Sequence, residues 1–403
     1  MKLTKYYKAI IFFGLAILLT VGIFLIFSQK NEISISLGSD LSAEAELNTN
    51  INLPDGIILS AKEPNSPLPF FSSPETVKAI YVTSWSASTE RYIDYIINLA
   101  KTTEINGVVI DLKDWSGYVA YDTALPAVAE YGAKSVLIRN IKSLIERLHQ
   151  EGIYLIARIS VFQDPLLALA RPELAIRSQE NPASLWLDRS GLAWIDPAAK
   201  EAWDYNIAIA QEAVALGFDE INFDYIRFPS DGNLKDMSFL VWDENSLQHI
   251  ILKEFFAYLR QQMPEAVLSV DLFGLSTVNF DDLGIGQIIE DAFEYFDYVC
   301  PMVYPSHYAP GFLGYANPAN YPYEVVKYSL DMASARLSVF NQARAKLRPW
   351  LQDFDLGAVY NASMVKSQIT ATYEATGDNF SGFMLWNPSN VYTLEALSRN
   401  EEK

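Results

Sequence analysis

The chain has 403 residues, half of them apolar, enough for one large barrel or two ordinary domains around a sizeable core. With 30 Lys and Arg against 49 Asp and Glu it carries a formal charge of −19, which repels nucleic acid and anionic lipid and suits a neutral substrate better than a polyanion. One cysteine, Cys300, excludes an internal disulfide framework and sits in an apolar run as a small core residue; His149, His249 and His307 are too scattered for a zinc site.

At the N-terminus, Lys2, Lys5 and Lys8 precede an apolar run over 9–27, long enough to cross a bilayer as a helix. The basic flank favours an inside N-terminus and an outside body. No small-x-small cleavage site follows, so residues 1–30 read as an uncleaved signal anchor, a single pass through the cell membrane with the body extracytoplasmic; a cleaved signal peptide is the alternative. Residues 31–74 are polar and end in Pro64, Pro67, Pro69 and Pro74, the composition of a flexible linker. From Lys78 onward, β-rich runs at 78–84, 107–113, 153–160, 220–227, 267–273, 298–304, 348–354 and 382–387 alternate with amphipathic stretches. Helices are predicted at 89–102, 133–150, 200–216, 246–263, 285–293, 323–345 and 362–376. Strand–helix alternation means parallel strands with crossover helices, and eight such units predict a (β/α)8 TIM barrel over 75–398. A doubly wound open sheet would show a Gly-rich phosphate turn after its first strand, which Ser84-Trp85-Ser86-Ala87 is not. The gaps 161–199 and 305–322 follow strands, which makes them candidate active-site loops.

In such a barrel, chemistry gathers where strands end. The strand ends supply Asp111, Lys113 and Asp114; Arg158 and Ser160; Asn222, Asp224 and Arg227; Asp271; Tyr304 and His307; Gln352 and Asp353; Trp386 and Asn387. By the period of two, Val109, Asp111 and Lys113 share a face, as do Asn222 and Asp224. Two carboxyls flanking a bond are what glycoside hydrolysis requires, and the adjacent fourth and fifth strands offer Asp224 as nucleophile and Asp271 as acid. Arg158 supplies a cation near Asp224, and an apolar setting would raise the pKa of Asp271. An aspartate at a strand end also serves as a helix cap or loop acceptor, but Asp224 lies inside strand-like sequence. The substrate-binding candidates are Asp111, Lys113, Arg158, Asn222, Arg227, Tyr304, His307, Gln352, Asp353 and Trp386. Trp85, Trp115, Tyr304, Tyr308, Trp350 and Trp386 are candidate platforms for sugar rings, or else ordinary packing residues. No metal or cofactor is expected.

The segment Gly217-Phe218-Asp219-Glu220-Ile221-Asn222-Phe223-Asp224-Tyr225-Ile226-Arg227-Phe228-Pro229 resembles the fourth-strand motif of a family of bacterial glycoside-hydrolase-like barrel domains, long catalogued as of unknown function. The runs 109–113, 301–308, 349–354 and 382–387 are similar to that family's other strand ends, and the resemblance spans about 76–396. It implies a (β/α)8 fold near the α-amylase and α-galactosidase superfamily, whose fourth-strand Asp is the nucleophile, a role that falls on Asp224. The chain departs from α-amylases in offering Asp271 where they carry a fifth-strand Glu, and in lacking their neighbouring histidines. The expected function is hydrolysis of a cell-surface or environmental polysaccharide or oligosaccharide by two carboxylates. The alternative is a non-catalytic carbohydrate-binding barrel of the cell envelope. A metal-dependent hydrolase would need a His/Asp ligand set that the three histidines do not supply.

Overall fold

Runs that are apolar on both faces form strands that can be buried on both sides, and here they close on themselves. The computed structural model describes residues 74–398. Its barrel strands are, in order, Val77–Val82, Gly107–Lys113, Tyr154–Ser160, Glu220–Asp224, Leu268–Phe273, Tyr298–Met302, Trp350–Gln352 and Gly382–Trp386. Each pairs in parallel with the next, and the first also pairs with the eighth, so the chain forms a closed (β/α)8 barrel. The expected anchor over 1–30 and all but the last residue of the expected linker lie outside the described residues; among the described residues no helix is long and apolar enough to cross a membrane.

The alternation sorts two cores. Outward residues such as Ile80, Val108, Ile110, Leu155, Ile221 and Val270 pack against the helices. Inward residues, among them Ala79, Val109, Ile156, Cys300, Trp350 and Met384, fill the barrel. Under this inner layer, at the strand starts, the buried Arg348 donates to the buried Glu220, which also accepts from the Tyr154 hydroxyl at 3.2 Å. The Arg348 guanidinium lies 3.8 Å from the centroid of the Tyr298 ring. The inner polar residues therefore come in two tiers, one closing the bottom and one, described below, open at the top.

Closure depends on Gly382, which pairs with Val77 at φ +110°. A β-carbon there would come within 1.8 Å of the Val77 carbonyl oxygen. Gly382→Ala is expected to cost at least about 2 kcal/mol, since both the backbone conformation and the strand contact must yield. Chemical denaturation would measure this; an unchanged midpoint would show that the seam relaxes freely.

The helices that follow the barrel strands are Glu90–Thr102, Ile141–Gln150, Lys200–Leu216, Gln248–Gln262, Ile289–Phe293, Pro322–Ser338 and Ala362–Thr376, with short helices at Ser84–Ala87, Pro126–Glu130 and Pro165–Ala170 in the connections. Lys200–Leu216 stops at Gly217, whose left-handed φ of 110° closes the last turn. The single helix expected over 133–150 is two elements. Lys134–Ile138 alternates exposed and less exposed residues as a strand, pairing in parallel with Val119–Tyr121, which pairs antiparallel with the second barrel strand. The helix begins only after Asn140, whose side chain accepts from the Ser143 amide at 3.2 Å. The helix expected to 345 ends at Ser338, freeing Lys346–Leu347 to pair with the sixth barrel strand. Within the long segment 161–199, Pro165–Ala170 is helical and Arg177–Ser178 pairs with Met237–Ser238 after the fourth strand. The strands expected to reach 227, 304 and 354 stop at Asp224, Met302 and Gln352, leaving the next residues in turns at the barrel mouth.

Candidate active site at the barrel mouth

Arg158 organises the upper tier. Its neighbours in register are Asp111 on the second strand and Asn222 on the fourth. Nη1 donates to Asp111 Oδ1 at 2.5 Å, Nη2 donates to Asp224 Oδ2, and Nε lies 3.8 Å from Asp271 Oδ2. Burial disfavours its charge, but the carboxylates of Asp111, Asp224 and Asp271 outweigh this and hold its pKa well above the ordinary arginine value. The guanidinium also faces the rings of Trp386 (5.1 Å) and Tyr81 (5.7 Å), which stack on each other at 3.9 Å. The Tyr81 hydroxyl donates to Asp111 Oδ2 at 2.5 Å, so Asp111 is spent on fixing Arg158 and Tyr81.

The fourth and fifth strands run in register through Phe223 and Val270, so Asp224 and Asp271 stand side by side one step further on. Neighbouring strands lie about 4.8 Å apart. Besides Arg158, Asp224 meets the amide of Tyr225, which donates to Oδ1 at 2.5 Å. Tyr225 has φ 53°, a left-handed conformation that a side chain of its size seldom adopts, and it turns the chain out of the strand directly beside this carboxylate. Asp271 Oδ1 accepts from Asn222 Nδ2 at 2.9 Å and Trp350 Nε1 at 2.7 Å. Burial and then the charge of Asp224 push the Asp271 pKa well above the carboxylate range, against the opposing pull of Arg158 and these hydrogen bonds. The neutral form would carry its proton on Oδ2, the oxygen no donor occupies.

These groups floor a cavity of about 410 Å³. Its walls are largely aromatic: Tyr225, Phe273, Tyr304, Trp350 and Trp386, with Met302, His307 and Arg227. The His307 ring packs edge-on to Tyr304 at 5.2 Å, and burial lowers its pKa. A polar floor under aromatic walls matches the two faces of a sugar, hydroxyls at the rim and C–H bonds on the ring faces.

Of the residues singled out in the sequence, Arg158, Asp224, Asp271, Arg227, Tyr304, His307 and Trp386 line the cavity. Asp111 and Asn222 lie buried beneath it, gripping Arg158 and Asp271. Lys113 does not reach it. An irregularity in register between Asp111 and Lys113 breaks the expected alternation. Lys113 pairs instead with Asp164 at 2.8 Å and donates to Asn206 on the helix Lys200–Leu216 at 3.2 Å. Gln352 is also buried out of reach, accepting from the Ser306 amide at 3.2 Å. Asp353 ties down the last loop, accepting from the Thr393 amide at 2.9 Å and hydroxyl at 2.6 Å. Of the aromatic candidates, Trp350 lines the cavity and Tyr308 is buried with its hydroxyl on Ser329, while Trp85 and Trp115 are exposed elsewhere. His149 and His249 pair with Asp219 and Asp291 away from the cavity. Tyr81 and Phe273 were not singled out, yet each follows an inward position by two residues and was reachable by alternation. The turn at Tyr225 has no comparable signal in the sequence.

The model of a family described as "Putative glycosyl hydrolase domain" matches residues 79–392. Among solved structures, a hypothetical protein from Ruminiclostridium thermocellum ATCC 27405 is 40% identical, the match covering 51% of this chain and 98% of that one with a TM-score of 0.45. The PgaB (BpsB) glycoside hydrolase domain from Bordetella bronchiseptica is 14% identical over 81% of this chain and 100% of that one, with a TM-score of 0.58. The chitobiase of Flavobacterium johnsoniae is 13% identical over 81% of this chain and 48% of that one, at 0.51. These last two share the fold. No curated protein matches the chain.

Proposed function

The chain belongs to this family of glycosyl hydrolase domains, and from that premise we propose that it cleaves glycosidic bonds in a cell-surface or environmental polysaccharide or oligosaccharide, with retention. The observation that carries the reading is the side-by-side placement of Asp224 and Asp271 on one cavity floor in unlike surroundings. Asp224 is salt-bridged to Arg158, whereas burial and its neighbour's charge keep Asp271 protonated beyond the usual carboxylate range. Retaining glycosidases hold their carboxyls about 5–5.5 Å apart, close to the spacing of adjacent strands.

In the first step an Asp224 oxygen forms a bond to the anomeric carbon. The glycosidic C–O bond breaks, its electron pair leaves with the departing oxygen, and that oxygen takes the proton of Asp271. In the second, the Asp271 carboxylate accepts a proton from water, whose oxygen displaces Asp224 from the same carbon. Tyr304 and Trp386 supply stacking surfaces, the buried Trp350 holds Asp271 through its indole N–H, and Arg158 holds Asp224. The apolar run over 9–27, with its basic flank, supports an extracytoplasmic domain held at the cell membrane.

The test is a panel of polysaccharides and aryl glycosides, read as released reducing ends or aryl alcohol against pH. The acid must be protonated, so turnover is expected to fall as pH rises through the raised pKa of Asp271, well above the ordinary value of about 4. Asp271→Asn is expected to lose about 10²–10⁴-fold on natural linkages, far less on activated aryl glycosides, and to lack that alkaline limb. A limb that persists in the variant would assign the acid elsewhere. Both Asp224 oxygens accept hydrogen bonds, which favours a second reading, a non-catalytic glycan-binding barrel. That reading expects binding with no new reducing ends.

A further inference from the structure

Arg227 is placed unlike the three buried arginines among the described residues. Arg158 meets Asp111 and Asp224, Arg336 meets Glu290, and Arg348 meets Glu220. Arg227 forms no ion pair among the described residues; Nη1 donates to the Phe228 carbonyl at 3.1 Å, and no other hydrogen bond to its guanidinium is found there. Three rings hold the guanidinium in place, with centroids at 4.7 Å (Trp194), 4.8 Å (Phe273) and 5.4 Å (Tyr225). It is partly buried and lines the same cavity as Asp224 and Asp271; the carboxylates of Asp224, Asp231 and Asp188 act on it only from a distance and do not pair with it.

Desolvating a guanidinium without a counter-charge is costly, and the cost falls when an anion completes the site. The rings pre-organise the planar fork, so an incoming carboxylate is met with little loss of side-chain freedom. Arg158 cannot play this part, because its guanidinium is buried in the cavity floor and already ion-paired with Asp111 and Asp224. The chain's charge of −19 disfavours a dense polyanion, but screening over about 8 Å at physiological salt leaves one acidic group in the cavity to be judged by its immediate neighbours.

We propose that Arg227 is a specificity determinant that binds the carboxylate of an acidic sugar, so that the preferred glycan carries uronosyl residues within a chain of low overall charge. This deepens the glycosidase reading and rests on it for the placement of a sugar in the cavity, but its test reads binding and needs no turnover. Methyl glycosides of glucuronic and galacturonic acid are titrated into the full-length protein beside those of glucose and galactose and the 6-sulfates of the neutral pair, with ligand-observed NMR as readout. At least one uronoside is expected to bind about tenfold or more tighter than its neutral counterpart, the scale of one charge-assisted contact. Arg227→Gln should erase that preference, acidic and neutral glycosides being compared on the same variant, and Arg227→Lys, which keeps the charge without the fork, should retain part of it. Equal affinity for acidic and neutral glycosides, no binding of any uronoside, a stronger preference for the sulfates, or a preference that survives in Arg227→Gln would each overturn the assignment. Binding with this pattern in a protein that releases no reducing ends would retain the carboxylate site and remove the glycosidase reading alone.

Discussion

Asp224→Asn is expected to lower glycoside hydrolysis by about 10⁴-fold, the order lost when one member of a cooperating catalytic set is removed. The amide matches the carboxylate in shape but cannot form the glycosyl ester, so the first bond to the anomeric carbon is not made. Asp111 remains on Arg158 through a 2.5 Å hydrogen bond, which keeps the guanidinium paired and the floor of the cavity in place. The melting temperature should therefore move far less than the rate. Asp224→Ala offers an independent readout. In a retaining enzyme, azide can enter the vacated space and attack the anomeric carbon from that face, giving a glycosyl azide of inverted configuration. Hydrolysis by Asp224→Asn at the parental rate would remove Asp224 from the reaction altogether.

Arg348→Met is expected to produce the largest loss of stability, about 3–5 kcal/mol, because it leaves Glu220 charged and buried without its partner. For a domain of this size that corresponds to a fall of roughly 4–7 °C in melting temperature. Glu220 would keep the Tyr154 hydroxyl at 3.2 Å, one hydrogen bond in place of an ion pair. The double variant Arg348→Met with Glu220→Met should recover much of the loss, since removing both charges also removes their desolvation cost. A single variant as stable as the parent would mean that water reaches Glu220 at the bottom of the barrel. The pair sits a tier below Asp224 and Asp271, so a stability effect here is separable from an effect on chemistry.

The barrel was legible because strand periodicity is a local property. All eight barrel strands fall within or overlap the runs marked by β-rich composition, and the helix Lys200–Leu216 has the bounds expected from its sequence. The misread stretch, 133–150, is short and amphipathic in either period, and only the capping side chain of Asn140 marks where the helix starts. Period-two reasoning put Asn222 and Asp224 on one face and strand-end position picked out Asp271; Asp224 and Asp271 both border the cavity. The same reasoning carried Lys113 to the wrong surroundings. A register irregularity arises from the pairing of two strands, and the second strand alone carries no mark of it.

Strand ends of one kind were sorted only by packing. Asp111, Asp224, Asp271 and Asp353 read alike as aspartates closing β-runs. In the fold, Asp111 lies under Arg158, Asp353 holds the loop at Thr393, and Asp224 and Asp271 face the cavity. Their contacts across the barrel join residues 30 to 79 positions apart, and neighbours at such distances along the chain are set by the closure of the sheet. The raised pKa of Asp271 belongs to this level too, since burial and the charge of Asp224 are properties of the assembled floor. Local hydrophobic period and strand–helix alternation thus specified a closed barrel and the strands bearing its carboxylates, because each depends on neighbours a few residues away. Which carboxylate meets Arg158, which one keeps its proton, and which arginine is left facing the cavity without a partner were decided by the closed tertiary structure, because desolvation and pairing exist only once distant strands have met.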